Sequence, residues 1–249
     1  MEETKQQFPS EEVTLPSKGL LYPENSPLRN GIIEMKYMTA KEEDILTNQN
    51  LIENGTVIDK LLKSLITTPC DYNELLSGDK NAILIAARIL GYGADYSFEY
   101  NGETIEFNLT TIKDKQLDES LIIDNKNEFS FTLPTAKKEI TFKFLTHGDE
   151  QKITKELKGL KKLNKNSSND MSTRMKYVLT SIEGDYETKT IREFVDNEFL
   201  ARDARELRNH ISKIQPSVDL SFDYEDQRGN VTTIDIPVGI QFFWPDATV

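Results

Sequence analysis

The sequence predicts an α+β protein in which one unit of strand, helices and β-hairpin occurs twice in tandem. Three observations carry that expectation. Asp79 and Asp203 each open an apolar helical run, and sixteen residues later the chain reads Asp95-Tyr96-Ser97-Phe98-Glu99-Tyr100 in one place and Asp219-Leu220-Ser221-Phe222-Asp223-Tyr224 in the other. Upstream, Met35-Lys36-Tyr37-Met38-Thr39 reads against Phe142-Lys143-Phe144-Leu145-Thr146, each followed three residues on by an acid, Glu42 or Asp149. Further upstream, Thr14-Leu15-Pro16 matches Thr132-Leu133-Pro134. Matched blocks in one order at a period of roughly 125 residues imply copied domain-sized units, not a solenoid of short repeats. The expected boundaries are a frayed polar N-terminus over 1–12, a first unit over 13–128 and a second over 129–249.

The elements follow in order. Pro16, Pro23, Pro27 and Asn30-Gly31 place turns before a strand over 32–38. Thr39-Ala40-Lys41-Glu42 fits a capping box, so a helix should run to about residue 48. Val57, Ile58, Leu61, Leu62, Leu65 and Ile66 recur at helical spacing, and Pro69 ends that run. Ser77-Gly78-Asp79 reads as an N-terminal cap for a helix over 80–90, with Gly91 and Gly93 as stops. Asn101-Gly102 between two alternating stretches is a hairpin turn. Residues 113–128 read as a charged linker.

In the second unit, 139–145 alternates as a strand, and Thr146-His147-Gly148-Asp149 caps a lysine-rich helix to about residue 163. Met175, Val178, Leu179 and Ile182 read as the counterpart of the 57–66 helix. Helices over 191–200 and 203–214 and a second hairpin with a longer turn, 225–230, complete the chain.

Composition narrows function. With 30 basic against 42 acidic residues the net charge is −12, which opposes a phosphate backbone and argues against a nucleic-acid role. Cys70 is the one cysteine, so no internal disulfide forms and a reducing compartment is the natural setting. Neither a signal peptide nor an apolar run long enough to span a membrane is expected.

Chemistry-bearing patterns are sparse. His147, His210 and Cys70 lack the paired spacing of a zinc site; His210 reads as a core residue, Cys70 as a small half-buried one. Gly91-Tyr92-Gly93 follows a helix, where a dinucleotide fingerprint would follow a strand. No enzyme and no cofactor are therefore expected. Two features could meet a partner. Lys152, Lys155, Lys158, Lys161 and Lys162 form a basic row that can face an acidic protein or simply water. Phe242, Phe243 and Trp244 can anchor a partner or close the core beneath the second hairpin, and alternation favours the core.

Three blocks carry a family resemblance: Thr14-Leu15-Pro16-Ser17-Lys18-Gly19-Leu20-Leu21-Tyr22, the stretch Met38 to Thr47, and Leu75-Leu76-Ser77-Gly78-Asp79-Lys80-Asn81 through Gly93. The chain resembles the baseplate hub assembly proteins of T4-like myophages over roughly its first hundred residues. Its length and closing half look similar to the member described as the hub assembly catalyst. The resemblance implies an assembly role in the host cell cytoplasm, with other baseplate hub or tape-measure proteins as partners and a chaperone-like mode of action. A structural subunit kept in the baseplate is the alternative. Some relatives carry paired cysteines around the first hairpin; here the turn is Tyr100-Asn101-Gly102-Glu103, so no metal-binding property carries over.

Overall fold

The chain's computed structural model describes residues 9–115, 117–122, 124–163, 169–225 and 229–243. In the first half, β1 (Ser10–Thr14) pairs antiparallel with β2 (Ile32–Lys36), Thr14 opposite Ile32. The connection doubles back on itself at Gly19 and Gly31. Both have positive φ (75° and 71°), and a Cβ on Gly19 would lie 2.3 Å from the Arg29 carbonyl oxygen, so backbone conformation and space both require glycine there.

α1 (Ala40–Leu46) starts at the expected capping box, in which the Thr39 N–H and hydroxyl both donate to Glu42. α2 (Gln49–Glu53) and α3 (Val57–Leu65) follow, with Val57, Leu61, Leu62 and Leu65 on the buried face of α3. The chain then returns to β2, where Ile66 bridges Met35 and the Thr67 N–H donates to the Glu34 carbonyl at 2.9 Å.

α4 (Ser77–Tyr92) is longer than expected and starts earlier. Asp79 does not cap it. It is the third helical residue, and its carboxylate reaches out to the Ser17 N–H (2.9 Å), the Ser17 hydroxyl (2.6 Å) and the Tyr22 hydroxyl (2.7 Å). The first turn is held from outside the helix, the Ser77 N–H donating to the Leu145 carbonyl at 3.0 Å. Gly78 allows an unusually close approach: a Cβ there would sit 1.8 Å from the Pro216 carbonyl oxygen. α4 ends at Gly93, whose φ of 85° suits glycine. β3 (Asp95–Tyr100) and β4 (Glu103–Asn108) then form the expected hairpin, with Asn101 and Gly102 both at positive φ as a two-residue turn of this kind requires. The charged stretch after it is more than a linker: β5 (Asp114–Lys115) pairs with a strand about a hundred residues downstream.

In the second half, β6 (Phe129–Thr132) pairs with β7 (Glu139–Phe142). α5 (His147–Leu163) and α6 (Asp170–Val178) come next. Leu179 and Ile182, expected to extend a helix, instead belong to β8 (Leu179–Ile182), which completes a sheet of order β6-β7-β8. Three of its four residues are buried, and a segment this short with two apolar ends cannot be assigned to helix or strand from its period alone. α7 (Thr188–Asn197), α8 (Ala201–Ile214), β9 (Ser217–Val218, the partner of β5) and the hairpin β10 (Ser221–Glu225) with β11 (Val231–Asp235) complete the order. The turn expected over 225–230 lies partly outside the described residues.

One continuous apolar cluster runs from Leu15 to Phe243 and includes residues of both halves. The two hairpins meet face to face. Phe98 lies 6.1 Å from Phe222 and Tyr100 lies 5.4 Å from Tyr224, centroid to centroid. Residues at matching positions of the two hairpins therefore touch one another, as they do between elements related by a two-fold rotation. α4 is seated against Phe242 by Arg88, a fully buried side chain that donates to the carbonyls of Phe242 (2.8 Å), Gly93 (2.8 Å) and Asp95 (3.1 Å).

Candidate partner-binding surface

α5 joins the two halves. Its N-terminus is pinned to the start of α4, with Leu76 bridging Thr146 and the His147 N–H donating to the Leu75 carbonyl at 2.7 Å. Ile153 is buried beneath the helix and Leu157 partly so. Its two acidic residues past the first cap point toward the second half. Glu150 takes a bidentate pair from Arg174, at 2.5 and 2.9 Å, and Glu156 takes another from Arg192, both bonds at 2.8 Å, plus the Tyr177 hydroxyl at 2.8 Å. The Arg192 guanidinium and the Tyr177 hydroxyl hold the Glu156 carboxyl at about 2 against an opposing push from burial.

The consequence is that the lysines of α5 are left over. Lys152, Lys155, Lys158, Lys161 and Lys162 are all exposed, and among the described residues none of them has an acidic partner. Two clefts flank the row. One, of about 990 Å³, has Leu21, Pro23 and Leu76 on its walls with Lys126, Lys152 and Lys155 at its rim. The other, of about 710 Å³, runs between α5, contributing Lys155, Lys158 and Lys162, and the Asn54–Thr56 turn that leads into α3. Lys161 lines neither cleft.

Three residues that the sequence did not single out as a group, Asp59, Lys80 and His147, line the floor of the second cleft. Asp59 accepts from Lys80 at 2.6 Å and from the Tyr72 hydroxyl at 3.0 Å, and lies 3.5 Å from His147 Nε2. The His147 ring also packs edge-on against Tyr72 at 4.7 Å. Burial, reinforced by Lys80 and opposed by Asp59, holds the His147 pKa below its ordinary value, so the imidazole is neutral at pH 7. No local motif joins these positions; α3, α4 and α5 bring them together.

The aromatic candidates fall elsewhere. Phe242 and Phe243 are fully buried, with Phe242 packed 4.9 Å from Tyr96, so they close the core and are not available on the surface as partner anchors. Two rings next to a terminal turn fit either place until the neighbouring element is known, and here α4 covers them. Trp244 lies outside the described residues. The His210 ring packs at a tilt against Phe131 at 4.9 Å, and burial pushes the pKa of the half-buried Cys70 thiol upward. Among the described residues no group of three metal-ligating side chains comes together, and no helix is long and apolar enough to cross a membrane.

Fold and surface together describe a mixed α+β protein with a free basic helix face between two clefts. Residues 10–244 match the family of the T4 bacteriophage base plate protein, and the chain belongs to that family: it is a phage baseplate protein. No curated protein and no solved structure gives a significant match.

Proposed function

We propose that this chain is an assembly factor of the tail baseplate hub, holding other hub or tape-measure proteins transiently in the host cytoplasm and acting by binding, without chemical catalysis. The observation that carries the reading is the α5 lysine row, a surface without acidic partners among the described residues in a chain of net charge −12. Four described carboxylates, Glu42 and Glu156 held at about 2 and Asp79 and Asp203 fully buried, support it, because the fold itself occupies each of them. Glu42 caps α1, Asp79 and Asp203 tie loops to helices, and Glu156 binds α5 to α7. We further propose that the two halves descend from one copied unit, a reading supported by the matched contacts of Asp79 and Asp203 and by the hairpins that meet at equivalent rings.

Co-expression with the hub and tape-measure proteins of the same phage, followed by affinity capture, tests the binding role; capture of one of them is expected. Mass spectrometry of purified virions tests the assembly role. Absence from the particle supports a factor that leaves, whereas stoichiometric presence would make the chain a structural subunit.

A further inference from the structure

We propose that the cleft between α5 and the Asn54–Thr56 turn takes an extended acidic segment of a partner protein, with its carboxylates at alternate positions set against Lys155, Lys158 and Lys162. The inference rests on the assembly reading above and gives it a site and a ligand chemistry.

Charge complementarity is the first ground. The three lysines line one wall of the cleft, and the acids that share α5 with them are occupied by Arg174 and Arg192. Asp59, the carboxylate on the floor, is held by Lys80 and Tyr72. The opposite wall, Asn54 to Thr56, carries no charge of its own.

Spacing is the second ground. At a rise of about 1.5 Å per residue the three lysines stand roughly 4.5 and 6 Å apart along the axis of α5. Side chains on one face of an extended chain recur about every 6.6 Å. Flexible lysine stems absorb the difference.

The third ground is Gly159, which lies within α5 and lines the same cleft. A glycine inside a helix weakens it relative to alanine. Among the described residues no atom beyond its own stretch of helix lies within 4 Å of where its Cβ would be, so packing among them does not require glycine. A bare backbone at that point lets another chain approach closely.

The test uses the full chain and a fluorescently labelled decapeptide of alternating glutamate and serine, read by anisotropy at low salt. The triple variant K155Q/K158Q/K162Q should lose at least tenfold in affinity, with a flatter salt dependence. Gly159→Leu should raise the Tm, because leucine is the better helix former, and still weaken peptide binding by filling the cleft. Two further ligands complete the experiment: a DNA duplex of similar charge, read by anisotropy, and the chain itself, read by light scattering. Peptide affinity unchanged in both variants, tighter binding of the duplex than of the peptide, or lysine-dependent self-association would each overturn the site. The two readings fail separately. If the triple variant still captures a hub protein as wild type does, the cleft assignment falls and the assembly role stands. If wild type captures none but binds the peptide in a lysine-dependent way, the assembly role falls and the acid-binding cleft stands.

Discussion

Asp79 and Asp203 occupy the same place in the two halves and have opposite acid–base character. Each is the third residue of its helix, fully buried, and reaches a Leu-Pro loop upstream: Asp79 the Ser17 N–H, Asp203 the N–H groups of Thr135 (2.7 Å) and Ala136 (2.9 Å). Burial pushes the Asp79 pKa above its ordinary value despite bonds from Ser17 and Tyr22, with Asp114 adding to the rise. For Asp203 burial pushes the same way, but the two backbone donors and nearby Arg202 outweigh it and the pKa falls. The same connection can therefore be made with a carboxyl that favours its proton or one that favours its charge, depending on the second set of neighbours. A second matched pair shows the same freedom. Lys36 reaches Glu42 at 2.8 Å and Lys143 reaches Asp149 at 2.7 Å, yet Glu42 also takes a bond from a following helix, from Ser64 at 2.6 Å.

The largest expected effect breaks the comparison where the first half has no counterpart. Ser212 stands where Arg88 would be matched, and Arg88→Ala leaves three carbonyls without their donor and a void beside Phe242. A loss of about 3–5 kcal/mol is expected in urea unfolding, since removing a buried charged donor leaves its partners unsatisfied. A loss below about 1 kcal/mol would mean the C-terminal turn is not held to α4 in this way.

Next comes the acid limb. Burial pushes the Glu42 carboxyl upward, but Lys36, Ser64 and Thr39 together hold it at about 2, below the ordinary 4.5. A depressed carboxyl stabilises the fold above its unfolded pKa, and that stability is lost as pH falls through the folded value. It is therefore expected to disappear between about pH 4.5 and 2, to the extent of about 3 kcal/mol at most. Chemical denaturation at stepped pH should show Glu42→Gln flattening this limb.

The aspartates give a smaller effect of opposite sign. Asp203→Asn is expected to cost about 2 kcal/mol at pH 7, because an amide cannot accept both backbone N–H groups as the carboxylate does. That difference from wild type should shrink as pH falls below the ordinary 3.8. Asp79 has a raised pKa, so its contribution is fully present below 3.8 and is lost as pH rises through the folded value. Asp79→Asn should thus cost less at pH 7, and its difference from wild type should shrink with rising pH. Parallel slopes for the two variants would contradict the contrast between the two carboxyls.

The smallest effect tests whether the halves meet through equivalent rings. A double-mutant cycle on Tyr100→Ala and Tyr224→Ala should give a coupling of about 1 kcal/mol, the usual worth of an aromatic pair beyond its buried area. Additive costs would mean the two hairpins are only neighbours.

Much of this molecule is written locally. The capping box at Thr39, the apolar stripe of α3, the Asn101-Gly102 turn and the lysine row of α5 each depend on residues within a few positions, so period and turn chemistry reveal them. What tertiary structure alone decided is which of those features remain available. Leu179–Ile182 became a strand because β7 offered it a partner, Asp79 left its helix end for a loop 62 residues upstream, and Phe242 and Phe243 went under α4. The α5 lysines stayed in water, as an ammonium does unless it is paired, and Arg174 and Arg192 hold the acids Glu150 and Glu156 on the same helix. Burial and pairing between distant segments set these outcomes, and neither quantity has a local signature in sequence.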